Sequence, residues 1–278
     1  MNWLKIDEAL KSFLEEDIGW GEDITSSGLP DNLNAKGFIK VKESGVVSGL
    51  FFAKRVFELL GVKDITLKAK DGDLVNKKDI IMELQGNAKA LLMGERVALN
   101  LIQSLSGIAT ETKFMLDKIK DYEVKLLDTR KTTPGYRFFE KYAVRTGAGT
   151  NHRFALYDMV LIKDNHINLY GSVSKAVQQI RKNLSMAYKV EVEVSNFEQL
   201  EEALNLDIDM ILLDNFGVED AKKAIELIRK RSSIKIELSG EINKDNIEEY
   251  AKTRPDYISS GAIIHSSKWL NASMDITI

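Results

Sequence analysis

The chain has 278 residues, 44% of them hydrophobic, with 39 Lys+Arg against 42 Asp+Glu and a formal charge of −3. That is enough to bury one large core or two unequal ones. The slight acidity argues against a nucleic-acid partner, and no apolar stretch approaches the roughly 20 residues that span a bilayer. With no cysteine and only His152, His166 and His265 as histidines, disulfides, thiolate metal sites and a His-rich metal centre are excluded. The opening Met1-Asn2-Trp3-Leu4-Lys5 lacks the charged and apolar regions of an export signal, so a cytoplasmic location is expected.

The first hundred or so residues read as an α+β unit. Residues 6–15 have helical spacing, with Ala9, Leu10, Phe13 and Leu14 on one stripe. Glycines in 17–25 mark a loop. Residues 35–47 read as strand, interrupted near Gly45, and 51–60 as helix. Two strands are expected within 65–84 around the turn signal Asp71-Gly72-Asp73. A long helix starts near Ala88 and runs past Leu99, Ile102 and Leu105, with Gly107 as a candidate break; it links the first unit to the second.

From 124 onward, short apolar runs alternate with amphipathic stretches. Strands are predicted at 124–127, 159–162, 190–194, 210–213, 234–238 and 257–259, and helices at 173–182, 197–204, 218–231 and 244–252. Ser195-Asn196-Phe197-Glu198 fits a capping box with Ser195 as N-cap. Parallel strands need helical crossovers, so this alternation predicts a parallel sheet. It fits either an incomplete relative of the eight-unit barrel or an open doubly wound sheet.

In a barrel of this kind, chemistry gathers at the carboxyl ends of the strands. Those ends read 128–131, 163–166, Glu193, Asp214-Asn215, Ser239-Gly240 and Ser259-Ser260-Gly261, nearly all polar directly after Val, Ile or Leu. Cations concentrate there: Arg130 and Lys131, His152 and Arg153, Lys163 and His166. In an acidic chain this implies a small, highly charged anionic ligand. Arg130, Arg153 and Lys163 suit a carboxylate pocket, since Arg pairs with planar anions through two hydrogen bonds. Each Arg alone reads better as a surface residue or salt-bridge partner, and Lys163 also stands where a Schiff-base lysine would. Glu191 and Glu193 share one strand face, and Asp214 ends the next strand. Glu193 and Asp214 suit Mg2+ held through water and phosphates, or an ion pair with Lys or Arg across the barrel. The Ser239-Gly240 and Gly261-Ala262 turns offer backbone N–H groups to a phosphate.

Taken in order, these motifs resemble a known family. Asp128-Thr129-Arg130-Lys131-Thr132-Thr133-Pro134-Gly135, Asn151-His152-Arg153, Ile162-Lys163-Asp164-Asn165-His166, Val190-Glu191-Val192-Glu193, Leu212-Leu213-Asp214-Asn215-Phe216 and the two Ser-Gly turns resemble quinolinate phosphoribosyltransferases. Upstream, Glu16-Asp17-Ile18-Gly19, Asp23-Ile24-Thr25 and the stretch from Glu95-Arg96 to Thr110 are similar to that family too. The resemblance implies an α/β fold: an N-terminal α/β sandwich over 1–108, against which the C-terminal tail packs back, then an incomplete α/β (TIM-like) barrel over 109–278. It implies phosphoribosyl transfer from phosphoribosyl pyrophosphate to quinolinate with decarboxylation, using Mg2+. On matching positions, Arg130, His152 and Arg153 would hold the quinolinate carboxylates with Lys163 beside them, and Lys131 would neutralise pyrophosphate. Glu193 and Asp214 would face ribose and metal, and Ser239, Gly240, Gly261 and His265 would cradle the 5-phosphate. Arg96 matches an arginine that family homodimers insert into the partner's site.

Two residues depart from the family pattern. Glu241 stands where a second glycine often follows Ser-Gly, and Ala148 interrupts Gly147-Ala148-Gly149. Competing readings are a molybdenum-transport-associated relative of the same family, a Schiff-base aldolase using Lys163, and a non-catalytic anion-binding protein.

Overall fold

The computed structural model describes residues 1–21 and 23–278; Glu22, within the expected loop, lies outside the described residues. The chain divides into two compact units, Met1–Glu111 with Thr146–Ala148 and Ser267–Ile278, and Thr112–Arg145 with Gly149–Ser266. None of the described helices is long and apolar enough to cross a membrane.

In the first unit, α1 (Trp3–Ile18) buries Ile6, Leu10 and Leu14, a four-residue repeat that keeps one face inward. Strands β1 (Asn34–Val41) and β2 (Gly45–Val46) follow, then α2 (Leu50–Leu59), β3 (Asp64–Leu67), β4 (Leu74–Val75) and β5 (Ile80–Asn87). The Asp71-Gly72 turn forms, with Gly72 at φ 101°, but β3 and β4 on either side do not pair. β3 joins β5 and β4 joins β2, so the expected two strands are three. Asp71 Oδ1 instead accepts the Leu50 N–H at the start of α2 (2.9 Å), tying the turn to a helix end. The long helix α3 (Ala88–Lys118) is unbroken. Gly107 does not interrupt it, because the residue serves close approach: a β-carbon there would run into the Lys268 carbonyl.

The second unit carries β6 (Lys125–Leu127), α4 (Arg137–Thr146), β7 (Val160–Ile162), α5 (Asp164–Tyr170), α6 (Val173–Arg181), β8 (Val190–Val194) and α7 (Phe197–Ala203). It continues with β9 (Met210–Asp214), α8 (Val218–Arg231), β10 (Lys235–Ser239), α9 (Ile247–Ala251), β11 (Tyr257–Ser259) and α10 (Ala262–His265). A final strand, β12 (Ala272–Thr277), returns to the first unit, giving its sheet the order β12-β1-β5-β3.

The six-stranded sheet has the order β6-β11-β10-β9-β8-β7, with parallel pairs throughout. From β7 to β11 consecutive strands are neighbours, and the first strand, β6, lies beside the last, β11. That is a ring order, and it excludes the reversal that defines a doubly wound sheet. The ring is open between β6 and β7, where a single bridge, Leu127 to Thr150, extends β6. Burial of β8 and β9 is nearly continuous, as strands covered on both faces require.

Two local expectations shift. The N-cap of α7 is Asn196, whose side chain accepts the Gln199 N–H (2.9 Å), while Gln199 Oε1 accepts the Ser195 N–H (2.9 Å). The box therefore sits one residue later than Ser195-Glu198, because Asn caps as well as Ser and Gln199 reaches back as well as Glu. Helix α9 is shorter than 244–252, since Asn243 and Asn246 turn the preceding backbone on themselves: Asn246 Oδ1 accepts the Asn243 N–H and Asn243 Oδ1 that of Asp245, both at 2.8 Å.

Candidate active site

The strand ends of the ring carry the polar residues expected there, and a helix absent from the sequence reading organises one side of them. In α4, Lys141 donates its ammonium to Asp128, the residue directly after β6, with both side chains fully buried. Asp128 also accepts from Asn151 Nδ2 (2.6 Å) and the His152 N–H (2.8 Å). Burial raises the Asp128 pKa and lowers that of Lys141, each opposed by the partner's charge. Four donors and acceptors thus meet where a buried ion pair would otherwise be costly. The same helix anchors the loop after β6: buried Glu140 accepts the Thr133 N–H (2.9 Å) and Arg137 Nε donates to Thr132 Oγ1 (2.9 Å). The exposed Arg130 and Lys131 project from a loop held in this way.

His152 faces the interior of the ring. Its Nε2 meets Glu191 Oε2 at 3.1 Å and Glu237 Oε2 at 3.4 Å, and both glutamates are fully buried. They come from β8 and β10, which are separated by β9. Burial lowers the His152 pKa, but the two carboxylates outweigh it and push it up to about 10. Burial and the charge of Glu237, opposed by His152, push Glu191 up to about 7. The Arg153 N–H points at His152 Nδ1 (2.7 Å), a contact that needs an unprotonated Nδ1. The three donor groups lie within 4.8 Å of one another, a spacing a cation could also use. Both ring nitrogens of His152 thus have partners, Glu191 at Nε2 and the Arg153 N–H at Nδ1, and through the second contact His152 also bears on Arg153.

Arg153 is half-buried and donates from Nη1 to the Met159 carbonyl (3.0 Å). Burial lowers its pKa and the nearby Arg130 guanidinium lowers it further. Two guanidiniums whose charges bear on each other suit a doubly charged anion. Across the β7–β8 pair, Lys163 donates to Glu193. Burial pushes the Glu193 carboxyl above the usual range; Lys163 opposes this, and Asp214 and Asp164 add to it. Asp214 closes β9 opposite Ser239 and accepts from Asn215 Nδ2 (2.7 Å). One oxygen of Glu193 and one of Asp214 are thus taken by Lys163 and Asn215, and the oxygen-rich pair suits a hard cation shared with phosphates.

The late turns close the ring of polar ends. Gly240 has φ 107°, and a β-carbon there would strike the Asn215 side chain, so only glycine lets the turn pass beneath Asn215. At Gly261, Lys131 Cδ and His265 Nε2 each lie 3.0 Å from where a β-carbon would stand. This brings Lys131 and His265 to one turn. Arg96 is exposed on α3 and belongs to the other unit.

A parallel α/β ring whose strand ends carry cations, carboxylates and two late Ser-Gly turns has the form of a barrel-type site for a small anion. Residues 108–275 match the quinolinate phosphoribosyl transferase C-terminal domain, and residues 23–106 match the N-terminal domain. A probable nicotinate-nucleotide pyrophosphorylase (carboxylating) of Synechocystis sp. is 44% identical, covering 99% of this chain and 93% of that protein. Its counterpart in Bacillus subtilis is 43% identical, covering 100% and 96%. The crystal structure of NadC from Streptococcus pyogenes aligns with a TM-score of 0.93 at 42% identity, covering 100% of this chain and 98% of that one. The chain belongs to the quinolinate phosphoribosyltransferase family, and it is an enzyme of the phosphoribosyltransferase class. These relatives do not favour the molybdenum-associated, aldolase or non-catalytic readings.

Proposed function

We propose that the protein transfers the phosphoribosyl group of phosphoribosyl pyrophosphate to the ring nitrogen of quinolinate with loss of CO2. The products are nicotinate mononucleotide and pyrophosphate, a step of NAD biosynthesis. The observation that carries this is that Arg130, Lys131 and Lys163 stand with Glu193 and Asp214 at the carboxyl ends of one set of parallel strands, with Arg153 in the segment leading to β7. The cations suit a dicarboxylate and the carboxylates a ribose that becomes cationic.

In this reading Arg130 and Arg153 hold the quinolinate carboxylates with Lys163 beside them, and His152 braces Arg153 from behind. As the ribose–pyrophosphate bond breaks, oxocarbenium-like charge grows on the sugar and Glu193 and Asp214 stabilise it. Lys131 offsets the charge gathering on pyrophosphate. The Ser239-Gly240 and Gly261 turns with His265 cradle the 5-phosphate. Glu193 and Asp214 would hold Mg2+, which would supply neutralisation of the pyrophosphate oxygens. Loss of CO2 leaves an electron pair on the ring carbon, which the adjacent quaternised nitrogen stabilises until that carbon takes up a proton. Arg96 completes the pocket of a second copy, making a homodimer the smallest active unit, and the enzyme acts in the cytoplasm.

Turnover of quinolinate with Mg2+ and phosphoribosyl pyrophosphate, and none of nicotinate under the same conditions, is the expected result. Binding of both quinolinate and phosphoribosyl pyrophosphate without turnover, across a range of metals and pH, would sink the reading.

A further inference from the structure

We propose that Lys141 is a positioning residue for the dicarboxylate pocket, acting through His152 on Arg153. The inference rests on the function proposed above.

The ring of strands is open between β6 and β7, and the segment that crosses the opening contains Asn151, His152 and Arg153. No strand ladder fixes this segment beyond the bridge at Thr150, so its geometry depends on side chains. His152 is engaged at every polar atom. Its N–H donates to Asp128 (2.8 Å), its carbonyl accepts from Lys141 Nζ (3.1 Å), Nε2 meets Glu191 (3.1 Å) and Nδ1 accepts the Arg153 N–H (2.7 Å). Lys141 governs two of these contacts, one directly and one by holding Asp128. The Lys141 carbonyl also accepts from Asn151 Nδ2 (2.9 Å). Arg153 is thereby tied at its backbone to His152 and at its guanidinium to the Met159 carbonyl, just before β7 (3.0 Å). Lys141 itself is 2% exposed and out of reach of any substrate.

Stability alone does not call for this charge. A buried ion pair is often replaced by apolar residues of like volume without loss, whereas removal of one partner is damaging. A positional role accounts for a lysine here: its ammonium has three donors to distribute, and it uses them on Asp128 and on the backbone of the segment that carries Arg153.

The test uses Lys141→Met and the double variant Asp128→Asn/Lys141→Met, in the full-length protein, with melting temperature, kcat and both KM values measured. The single variant is expected to melt lower and to raise the quinolinate KM about tenfold or more, leaving the phosphoribosyl pyrophosphate KM within about twofold. The double variant removes both buried charges; it is expected to recover melting temperature but not quinolinate KM. If the single variant does not fold, the double variant alone decides. A double variant with wild-type quinolinate KM, or a loss confined to kcat, would overturn the positional role and leave Lys141 as a stabilising charge only. A wild-type protein inactive on quinolinate would instead overturn the proposed function, and this inference with it.

Discussion

Lys163 donates to Glu193 across the adjacent ends of β7 and β8, so a cation and a carboxylate of the proposed site are already paired with each other. In such a pair each residue sets the other's orientation. Glu193→Gln, which keeps the shape and removes the charge, is expected to lower kcat by about a hundredfold to a thousandfold. Lys163→Met should do similar damage, and the double variant much less than the product of the two, because the pair acts as a unit. Steady-state kinetics on the three variants would show multiplicative losses if the residues act separately. The same pairing predicts that borohydride traps no carbonyl compound on Lys163.

Glu241 has φ 40° and follows Gly240 at the proposed phosphate turn. A non-glycine residue in that region costs about 1 kcal/mol, and its carboxylate adds negative charge near the expected 5-phosphate. Its carbonyl is held by Asn243 and Asn246, both at 3.2 Å, which keeps the turn in place. Glu241→Gly should leave the melting temperature equal or higher and lower the phosphoribosyl pyrophosphate KM about threefold, the size of an exposed charge effect. A raised KM would mean that the carboxylate assists binding.

The buried His152–Glu191–Glu237 cluster makes a prediction about pH. Glu191 is pushed up to about 7 and His152 up to about 10. Both shifts are upward, so whichever group holds the proton, the folded chain binds more protons than the unfolded chain between the ordinary and the raised values. The cluster's contribution to stability is full at low pH and is lost as pH rises through 7 and toward 10. Melting temperature should fall over that interval, and the fall should flatten in Glu237→Gln, which removes one of the two carboxylates. An identical slope in both proteins would rule out the cluster as its source.

Arg96 is exposed on α3, and its proposed place is in the pocket of a second copy. Arg96→Ala should weaken quinolinate binding without lowering melting temperature, because surface substitutions are usually close to neutral in stability. Mixing inactive Arg96→Ala with inactive Lys163→Ala chains should restore part of the activity. Mixtures that stay inactive after subunit exchange would count against a shared pocket.

The strand ends were legible in the sequence because buried parallel strands read as short apolar runs and their first polar residues stand out. Arg130, Lys163, Glu193 and Asp214 were located that way. Lys141 was not, because α4 itself was missed: Arg137-Phe138-Phe139-Glu140-Lys141 reads as a mixed polar segment, and nothing local says that Glu140 and Lys141 point inward. Their burial depends on partners distant in sequence, Asp128 and the 151–153 segment. Glu237 did leave a signal. Ile236-Glu237-Leu238 repeats the pattern of Val190-Glu191-Val192, an acid between two apolar residues of a central strand, and that pattern marks an inward carboxylate. The inward turn of His152 could not be read without it, since nothing beside His152 in the sequence names Glu191 and Glu237 as its partners.

The most direct measurement follows CO2 from carboxyl-labelled quinolinate alongside pyrophosphate in one reaction mixture with Mg2+. One CO2 released for each pyrophosphate, with nicotinate mononucleotide accumulating in step, is the result expected if Arg130, Arg153 and Lys163 face Glu193 and Asp214 across a quinolinate phosphoribosyltransferase site. Pyrophosphate release without CO2, or neither product while both substrates bind, would contradict it.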